Sequence, residues 1–449
     1  MGYSNYGNNQ NLVKLKTLEM KKVLVITYYW PPSGGGGVQR WLKFTKYLPE
    51  FGWEPIILTP LNPSIREKDE SLELEVNQNL KVVKIPIWEP YGITSKFLNV
   101  QTIPKQGIVN EKHDKRISFL TWLRGNLLIP DTRIFWKKPA YKKALDIIKQ
   151  ENVDLIVTTG PPHSLHLIGL ALKTNLNIKW VVDFRDPWAD WDILDRLKLT
   201  KRSRKIHQEL ERRVLTTADE IVTVSKAWAQ GLNKKYGKSV KVITNGFEKD
   251  DFRFNKKNDP GKFRISHFGL LNEFRNAPAL WEALGELCES NDSFNDELEV
   301  FLAGNIDSSI FNQIKSITNL SDKINYVGYL SHGNLAKEYQ ETAVFLLISN
   351  KSKNAEGHIP GKLFEYLYST RPILAISPLK GDVADIINNT NSGLVFEPDD
   401  KEPLKKAILS FYNSFVKKQS YQTQSDITIY ERINLTRKLA TCFSDLLEN

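Results

Sequence analysis

The stretch 358–377 reads HIPGKLFEYLYSTRPILAIS and passes from a loop through a helix to a strand. Residues 362–368 have helical spacing of apolar side chains, and 373–376 form an apolar run typical of a buried strand. A helix that opens on Gly361 and Lys362 directs free backbone N–H groups at the space before it, which suits a phosphate. Glu365 lies one turn deeper on the same face, where its carboxylate could accept hydrogen bonds from ribose hydroxyls. The stretch therefore predicts a socket for a nucleoside diphosphate.

A solvated helix face is the alternative, because short motifs often arise by chance. The stretch resembles the donor motif of retaining GT-B glycosyltransferases of family 4, in which bacterial members have Pro-x-Lys-Leu-x-Glu-Tyr-Leu. The resemblance implies that Glu365 binds the donor ribose. Many members have a second Glu eight residues earlier, where this chain has Gly357. Glu356, one position away, is the candidate for contact with the donor sugar.

Length and composition indicate a two-domain globular protein. The chain has 449 residues, which exceeds one ordinary core, and its 41% hydrophobic and 25% charged residues are normal values. Two cysteines, Cys288 and Cys442, argue against a disulfide framework or a zinc site and fit a reducing cytoplasm. The polar, Asn-rich beginning lacks the apolar centre of a signal peptide, and Met20 runs directly into an apolar strand. We expect 1–19 to be a disordered leader, and a cytoplasmic location.

Apolar strands alternate with helical stretches in both halves of the chain, which is typical of parallel α/β sheets. The predicted strands include Lys22–Thr27, Trp53–Leu58, Asp154–Thr158, Lys179–Asp183, Phe263–His267, Leu298–Ala303, Val344–Ile348 and Ile373–Ile376. Open α/β sheets bind ligands beyond the carboxyl ends of their strands, so two such domains can face each other across a cleft. We predict the α/β GT-B fold, with two doubly wound Rossmann-like domains. The resemblance spans the chain from about Met20 onward.

The domain boundaries follow from changes in composition. We predict an N-terminal acceptor-side domain over 20–250 and a C-terminal nucleotide-sugar-binding domain over 251–430. The polar stretch Glu248–Gly261 is the expected hinge. A C-terminal helix over 431–449 could pack back on the first domain. Residues 86–136 form an aromatic-rich insertion without clear periodicity, which we expect to be a flap or an acceptor-facing lobe.

Four consecutive glycines, Gly34–Gly37, follow the first predicted strand. Glycines at a strand-to-helix junction let the backbone approach a ligand and expose N–H groups at the helix start. The loop lacks the Gly-Lys-Ser/Thr ending of a P-loop and a strict G-x-G-x-x-G, which disfavours ATP hydrolysis and a dinucleotide site. A flexible turn is the alternative. The loop resembles the glycine loop of the same family, which implies that Gly36 and Gly37 lie near the donor phosphates and the transferred sugar.

Two motifs at predicted strand ends supply acid–base candidates. The segments GPPHSLH (160–166) and DFRDPW (183–188) should line the cleft. Related bacterial enzymes have similar segments. Asp186 could orient or deprotonate an acceptor hydroxyl, and His163 is a second acid–base or phosphate-contact candidate. Asp183 closes its strand, and we expect it to be structural.

The loop after the first strand of the second domain resembles the family's diphosphate-binding segment. Family members have Gly-Arg-Leu there and a Lys or Arg a few residues later, and the two cations grip the diphosphate. This chain has Gly269 followed by Leu270, so the first cation is missing. Arg275 could supply the second cation, and Lys362 could compensate for the first.

The residues Asp190-Trp191-Asp192 spell the D-x-D of metal-dependent glycosyltransferases. Two carboxylates alone are a weak magnesium signal, and the resemblance to GT-B enzymes implies that no divalent ion is needed. The sequence has no Cys/His cluster or H-E-x-x-H segment. We predict no metal and no cofactor other than a nucleotide sugar as co-substrate.

The net charge of +10 has a local source in 196–213, which contains eight Lys or Arg against Glu209 and Glu211. Nucleic acid, an anionic membrane surface and plain solvation of a helix face are the three interpretations. No nucleic-acid-binding module is recognisable, so we disfavour that partner. The family's frequent use of lipid-linked acceptors makes peripheral attachment to the inner membrane face an interpretation equal to plain solvation.

The resemblance implies a retaining, metal-independent glycosyltransferase of the hexosyltransferase type. It would move a sugar from a nucleoside diphosphate to a saccharide or lipid-linked acceptor, in the synthesis of a cell-surface polysaccharide or glycolipid. N–H groups at Gly361 and Lys362, with Arg275, would stabilise the leaving diphosphate. A nucleotide-sugar epimerase of the same fold and a non-catalytic sugar-nucleotide-binding relative are the alternatives.

Overall fold

The computed structural model describes residues 20–65, 68–90, 115–251, 260–330, 332–419, 421 and 426–448, and their strands form two parallel sheets. The first sheet contains β1 (Lys21–Ile26), β2 (Trp53–Pro60), β3 (Lys81–Ile85), β4 (Leu155–Gly160), β5 (Lys179–Phe184), β6 (Glu220–Thr223) and β7 (Lys241–Val242). The second contains β8 (Phe263–Phe268), β9 (Leu298–Ala303), β10 (Ile324–Gly328), β11 (Val344–Ile348), β12 (Ile373–Ile376) and β13 (Gly393–Phe396). The strand orders are β3-β2-β1-β4-β5-β6-β7 and β10-β9-β8-β11-β12-β13. Both sheets are therefore doubly wound.

Helices cover both faces of each sheet. The first domain contains α1 (Gly36–Tyr47), α2 (Lys115–Leu127), α3 (Lys137–Glu151), α4 (His166–Leu176), α5 (Asp192–Arg196), α6 (Lys201–Thr217) and α7 (Lys226–Tyr236). Further along the chain are α8 (Pro278–Ser290), α9 (Asp292–Glu297), α10 (Ser308–Lys315), α11 (His332–Gln340), α12 (Lys362–Ser369), α13 (Asp382–Thr390), α14 (Lys401–Val416) and α15 (Arg432–Glu448). None of the helices within these ranges combines the length and apolar character that a membrane span requires.

The continuous apolar runs of the strands explain this layering. In β1, Val23 and Val25 belong to one buried cluster, and Leu24 and Ile26 belong to the cluster on the other face of the sheet. Successive side chains of a strand point to opposite faces, so an apolar run of this kind needs helices on both sides.

The chain crosses between the domains twice, and the two crossings bind each other. The Phe247 N–H donates to the Tyr430 carbonyl at 3.1 Å, and the Arg432 N–H donates to the Phe247 carbonyl at 3.0 Å. Beyond this point α15 packs on the first domain, where the Phe443 ring meets Trp53 at a centroid distance of 5.2 Å. The expected leader 1–19 and the hinge residues 252–259 lie outside the described residues.

Residues 86–136 contain more regular structure than their pattern predicts, because α2 spans Lys115–Leu127. Phe119, Trp122 and Leu127 of this helix are exposed, so its apolar side chains do not follow the single buried stripe that reveals an amphipathic helix. Residues 91–114 of the insertion lie outside the described residues.

Candidate functional site

A cleft of about 450 Å³ lies between the carboxyl ends of the two sheets. The first domain contributes the glycine loop and Asp186, and the second contributes His358, Gly361 and Glu365. The two segments that cross between the domains also line the cleft, the first through residues 245–248 and the second through Arg432. Both predicted walls therefore meet at one site, as expected for open α/β sheets.

Arg185 holds the glycine loop in place. Its Nη1 donates to the Gly37 carbonyl at 2.6 Å and its Nη2 donates to the Pro161 carbonyl at 2.7 Å. A Cβ atom on Gly37 would lie 3.3 Å from the Tyr29 ring and 3.4 Å from Arg185 Nη1. A larger residue at this position would crowd the Tyr29 ring slightly and meet Arg185 at ordinary contact distance. Gly36 and Gly37 both line the cleft.

Asp186 lies just beyond β5, half-buried and directly on the cleft. Burial raises the pKa of its carboxyl above the ordinary value, and the neighbouring Arg185 guanidinium opposes this shift. The carboxylate is thus a better proton acceptor than an exposed aspartate.

Asp183, three residues earlier, is a buried residue with a structural role. Its carboxylate accepts from Arg40 Nη2 at 3.0 Å, Trp41 Nε1 at 2.8 Å and Thr159 Oγ1 at 2.9 Å, and it is 1% exposed. Arg40 also donates to the Ile243 carbonyl, so this cluster joins α1 and β5 to the first crossing segment.

His163 lies beneath the cleft and is 5% exposed. Its ring stacks on Trp188 at a centroid distance of 5.0 Å and an interplanar angle of 6°. Burial and the neighbouring His166 hold its pKa well below the ordinary value, so the imidazole is neutral. It is absent from the cleft lining, unlike Asp186, and this environment favours a packing role over the acid–base role that the sequence suggests.

The socket helix α12 begins as predicted, and Gly361 and Glu365 both line the cleft. Tyr339 donates its hydroxyl to Glu365 Oε2 at 2.6 Å, and Lys362 Nζ lies 3.0 Å from the same oxygen. Burial raises the pKa of Tyr339 well above its ordinary value, so the phenol keeps the proton that it donates. In this structure the Lys362 ammonium is thus paired with the Glu365 carboxylate, and its side chain is 30% exposed.

Leu270 and Arg275 line a second recess of about 350 Å³. Gly269 directly precedes Leu270 in the sequence. Arg275 Nε donates to Asn350 Oδ1 at 3.0 Å, and burial lowers the pKa of its guanidinium. His358 and Asp186 line both this recess and the main cleft. The two cavities are therefore neighbours, and the Arg275 charge acts on His358, which lines both.

Glu356 is exposed and lines a third recess of about 190 Å³, outside the main cleft. The next residue, Gly357, packs against Trp228, and a Cβ atom there would approach the indole to 2.2 Å. A glutamate at 357 would therefore collide with Trp228, which explains the departure from the family's spacing. The structure does not bring Glu356 to the socket.

The D-x-D carboxylates have different surroundings. Asp190 accepts from Lys235 Nζ at 2.8 Å, and Asp192 is the first residue of α5. Within the ranges that the structure describes, no group of three His, Cys, Asp or Glu side chains could hold a metal ion.

The cleft residues without a role assigned from the sequence include Trp228, His358 and Arg432. Burial and the Arg275 charge lower the pKa of His358 to about 4, so it is neutral. His358 is the first residue of the stretch 358–377, and this position could have identified it as a cleft residue. Arg432 belongs to the last helix, and only its packing on the first domain brings it to the cleft.

Two family models match the chain. The model described as glycosyl transferases group 1 matches residues 248–425, and the model described as glycosyltransferase family 4 matches residues 109–251. The two ranges meet at the first crossing between the domains. Together the matches indicate a glycosyltransferase of the GT-B fold. No curated protein sequence matches the chain.

The fold is similar to that of solved glycosyltransferases. A glycosyltransferase from Rickettsia africae aligns with a TM-score of 0.62 at 17% identity, covering 96% of this chain and 99% of that one. HepE of Anabaena, solved in complex with UDP-glucose, aligns with a TM-score of 0.61 at 12% identity, covering 94% and 99%. A Listeria monocytogenes protein, provisionally named a UDP-N-acetylglucosamine 2-epimerase, aligns with a TM-score of 0.53 at 12% identity, covering 96% and 97%. At these identities the similarity establishes the fold alone, and the predicted GT-B fold class is confirmed.

Proposed function

We propose that this chain is a retaining glycosyltransferase that moves a sugar from a nucleoside diphosphate to an acceptor hydroxyl. One observation carries the proposal. The start of α12 and Glu365 face the glycine loop and Asp186 across a single cleft. A donor held on one wall would present its sugar to the other.

On the donor wall, the unpaired N–H groups at the start of α12 suit phosphate oxygens. Glu365 is held by Tyr339 and Lys362 and would accept hydrogen bonds from the ribose hydroxyls. A leaving diphosphate gains negative charge as its bond to the sugar breaks, and donors already aimed at it stabilise that charge. HepE is described in complex with UDP-glucose, so uridine diphosphate sugars are the first donors to test.

On the acceptor wall, Asp186 would orient the attacking hydroxyl through a hydrogen bond. In front-face attack the new bond to the anomeric carbon forms on the side from which the diphosphate departs. The hydroxyl proton passes to the departing phosphate oxygen. This mechanism needs no enzymic nucleophile, and the N–H groups at the start of α12 would stabilise the departing diphosphate in a metal-independent reaction.

The membrane-facing part of the proposal rests on a neighbouring surface. Lys201, Arg202 and Lys205 of α6 are exposed around Ile206, which is 39% exposed. On α2, exposed Phe119 and Trp122 stack at a centroid distance of 6.1 Å. Basic residues beside exposed aromatic ones suit the interface of an anionic bilayer, where a lipid-linked saccharide acceptor would reside.

Radiolabelled nucleotide sugars, with and without a membrane extract, test the function. Transfer of label to extract components that survives EDTA supports the proposal. Conversion of the donor sugar to a free epimer without extract would favour the epimerase. Nucleotide-sugar binding without either product would favour a non-catalytic relative.

A further inference from the structure

Arg432 is a buried cation at the base of the main cleft. It is the first residue of α15, only 7% exposed, and it lines the same cavity as Gly361 and Glu365. Its Nη1 has no hydrogen-bond partner among the described residues. Its own N–H is bonded to the Phe247 carbonyl at 3.0 Å, which holds the helix start against the first crossing segment.

The other two cations of this cavity are already engaged. Lys43 Nζ lies 2.7 Å from both Glu75 and Asp251, and Arg185 donates to the carbonyls behind the glycine loop. Arg432 has no comparable ion pair within the described part of the chain. It is therefore the cation of this cavity whose charge is left for a ligand.

An uncompensated buried charge is costly for a folded protein. Burial and the nearby Arg40 lower the pKa of Arg432 to about 10, in spite of Glu248 and Asp251 in its surroundings. Proteins keep such strained charges mainly where a ligand completes the site. A compact anion is the ligand that a guanidinium fork fits best.

One cation of the family's diphosphate segment is missing from the donor-binding wall, and Arg432 could supply it. The first cationic position of the family's diphosphate segment is Leu270, Arg275 is bound to Asn350 in the neighbouring recess, and Lys362 is bound to Glu365. Glu365 and Arg432 line the same cavity, and the Glu365 charge acts on the pKa of Arg432.

We propose that Arg432 binds a phosphate oxygen of the donor diphosphate and replaces the cation that is absent at Leu270. The inference rests on the proposed function. Because α15 packs on the first domain, a donor held by α12 of the second domain would also be gripped from the first. The leaving group would then be stabilised most strongly when both domains are in place.

Calorimetry on the full chain tests this assignment. UDP, GDP and ADP are first titrated into the wild-type protein. The affinities for the most tightly bound diphosphate and for its nucleoside are then measured in the R432Q and R432K variants. R432Q should bind the diphosphate about tenfold to a hundredfold more weakly, as expected for one lost hydrogen bond to a charged group. Its affinity for the nucleoside should be unchanged. R432K keeps the charge without the planar fork of the guanidinium, so its affinity for the diphosphate should lie between those of the wild type and R432Q.

Arg437→Gln is the matched control, because Arg437 is exposed on the same helix and donates only to Asn434 in the described structure. It should bind the diphosphate like the wild type. Circular dichroism checks that R432Q is folded before its affinity is compared with that of the wild type. If R432Q does not fold, weaker diphosphate binding by folded R432K supports the assignment.

Two results would overturn it. Unchanged diphosphate affinity in a folded variant, or equal losses for diphosphate and nucleoside, would leave Arg432 as a structural residue of the crossing. The proposed function would stand in both cases. A wild-type chain that binds none of the three diphosphates would instead overturn the proposed function, and this assignment with it.

Discussion

Removal of the Asp183 carboxylate should destabilise the first domain strongly. Asp183 receives hydrogen bonds from Arg40, Trp41 and Thr159 at 2.8–3.1 Å, and both Asp183 and Arg40 are 1% exposed. In Asp183→Ala these donors stay buried and lose their acceptor. Breaking one side of a buried ion pair costs about 3–5 kcal/mol. Arg40 keeps the Ile243 carbonyl, so we expect the lower part of that range.

A loss of this size is a large part of the free energy of unfolding of a typical domain, which is about 5–15 kcal/mol. It should lower the melting temperature by about 10 °C, because about 1 kcal/mol corresponds to 2–4 °C at this domain size. Circular dichroism during thermal unfolding measures it. Asp190→Asn is the control, because the Asp190 side chain is 61% exposed and its pair with Lys235 should contribute less than about 1 kcal/mol.

A melting temperature for Asp183→Ala within 2 °C of the control would refute the reasoning. The carboxylate would then be dispensable, and the Arg40 charge would have to be balanced by the carbonyls of the first crossing segment alone.

Three further predictions concern the cleft and the basic surface. Glu365→Gln keeps an acceptor for Tyr339 and should fold normally, yet bind the donor more weakly; unchanged nucleotide affinity by calorimetry would remove Glu365 from the ribose role. Burial raises the pKa of Asp186, so turnover should fall on acidification at a higher pH than for an ordinary aspartate, as its carboxylate takes up a proton. Asp186→Asn should lose that acidic limb of the pH–rate profile together with most activity, and an unaltered profile would exclude the role. The protein should sediment with phosphatidylserine vesicles at low salt and be released at high salt, because such attraction decays over about 8 Å at physiological salt; equal recovery on neutral vesicles would leave 196–213 as a solvated face.

Most of the fold could be predicted because the signals are local. The strands over 298–303, 344–348 and 373–376 were predicted with the observed bounds, since a continuous apolar run must be covered on both faces. The socket helix was predicted to within one residue, because Pro360 and Gly361 mark its start and Pro372 follows its end. Helix α2 escaped prediction because its aromatic residues are exposed and leave no buried stripe.

Local patterns were enough to predict two doubly wound domains and the loops that face the cleft, because alternating strands and helices indicate parallel sheets, which bind ligands beyond the carboxyl ends of their strands. Only the tertiary structure decided which side chains within those loops reach a ligand. His163 stacks under the cleft on Trp188, and Lys362 turns to Glu365. Arg432 reaches the cavity from the far end of the chain. These contacts depend on packing between segments that are distant in sequence. Burial and the nearest opposite charge decide whether a side chain faces a ligand or pairs within the protein.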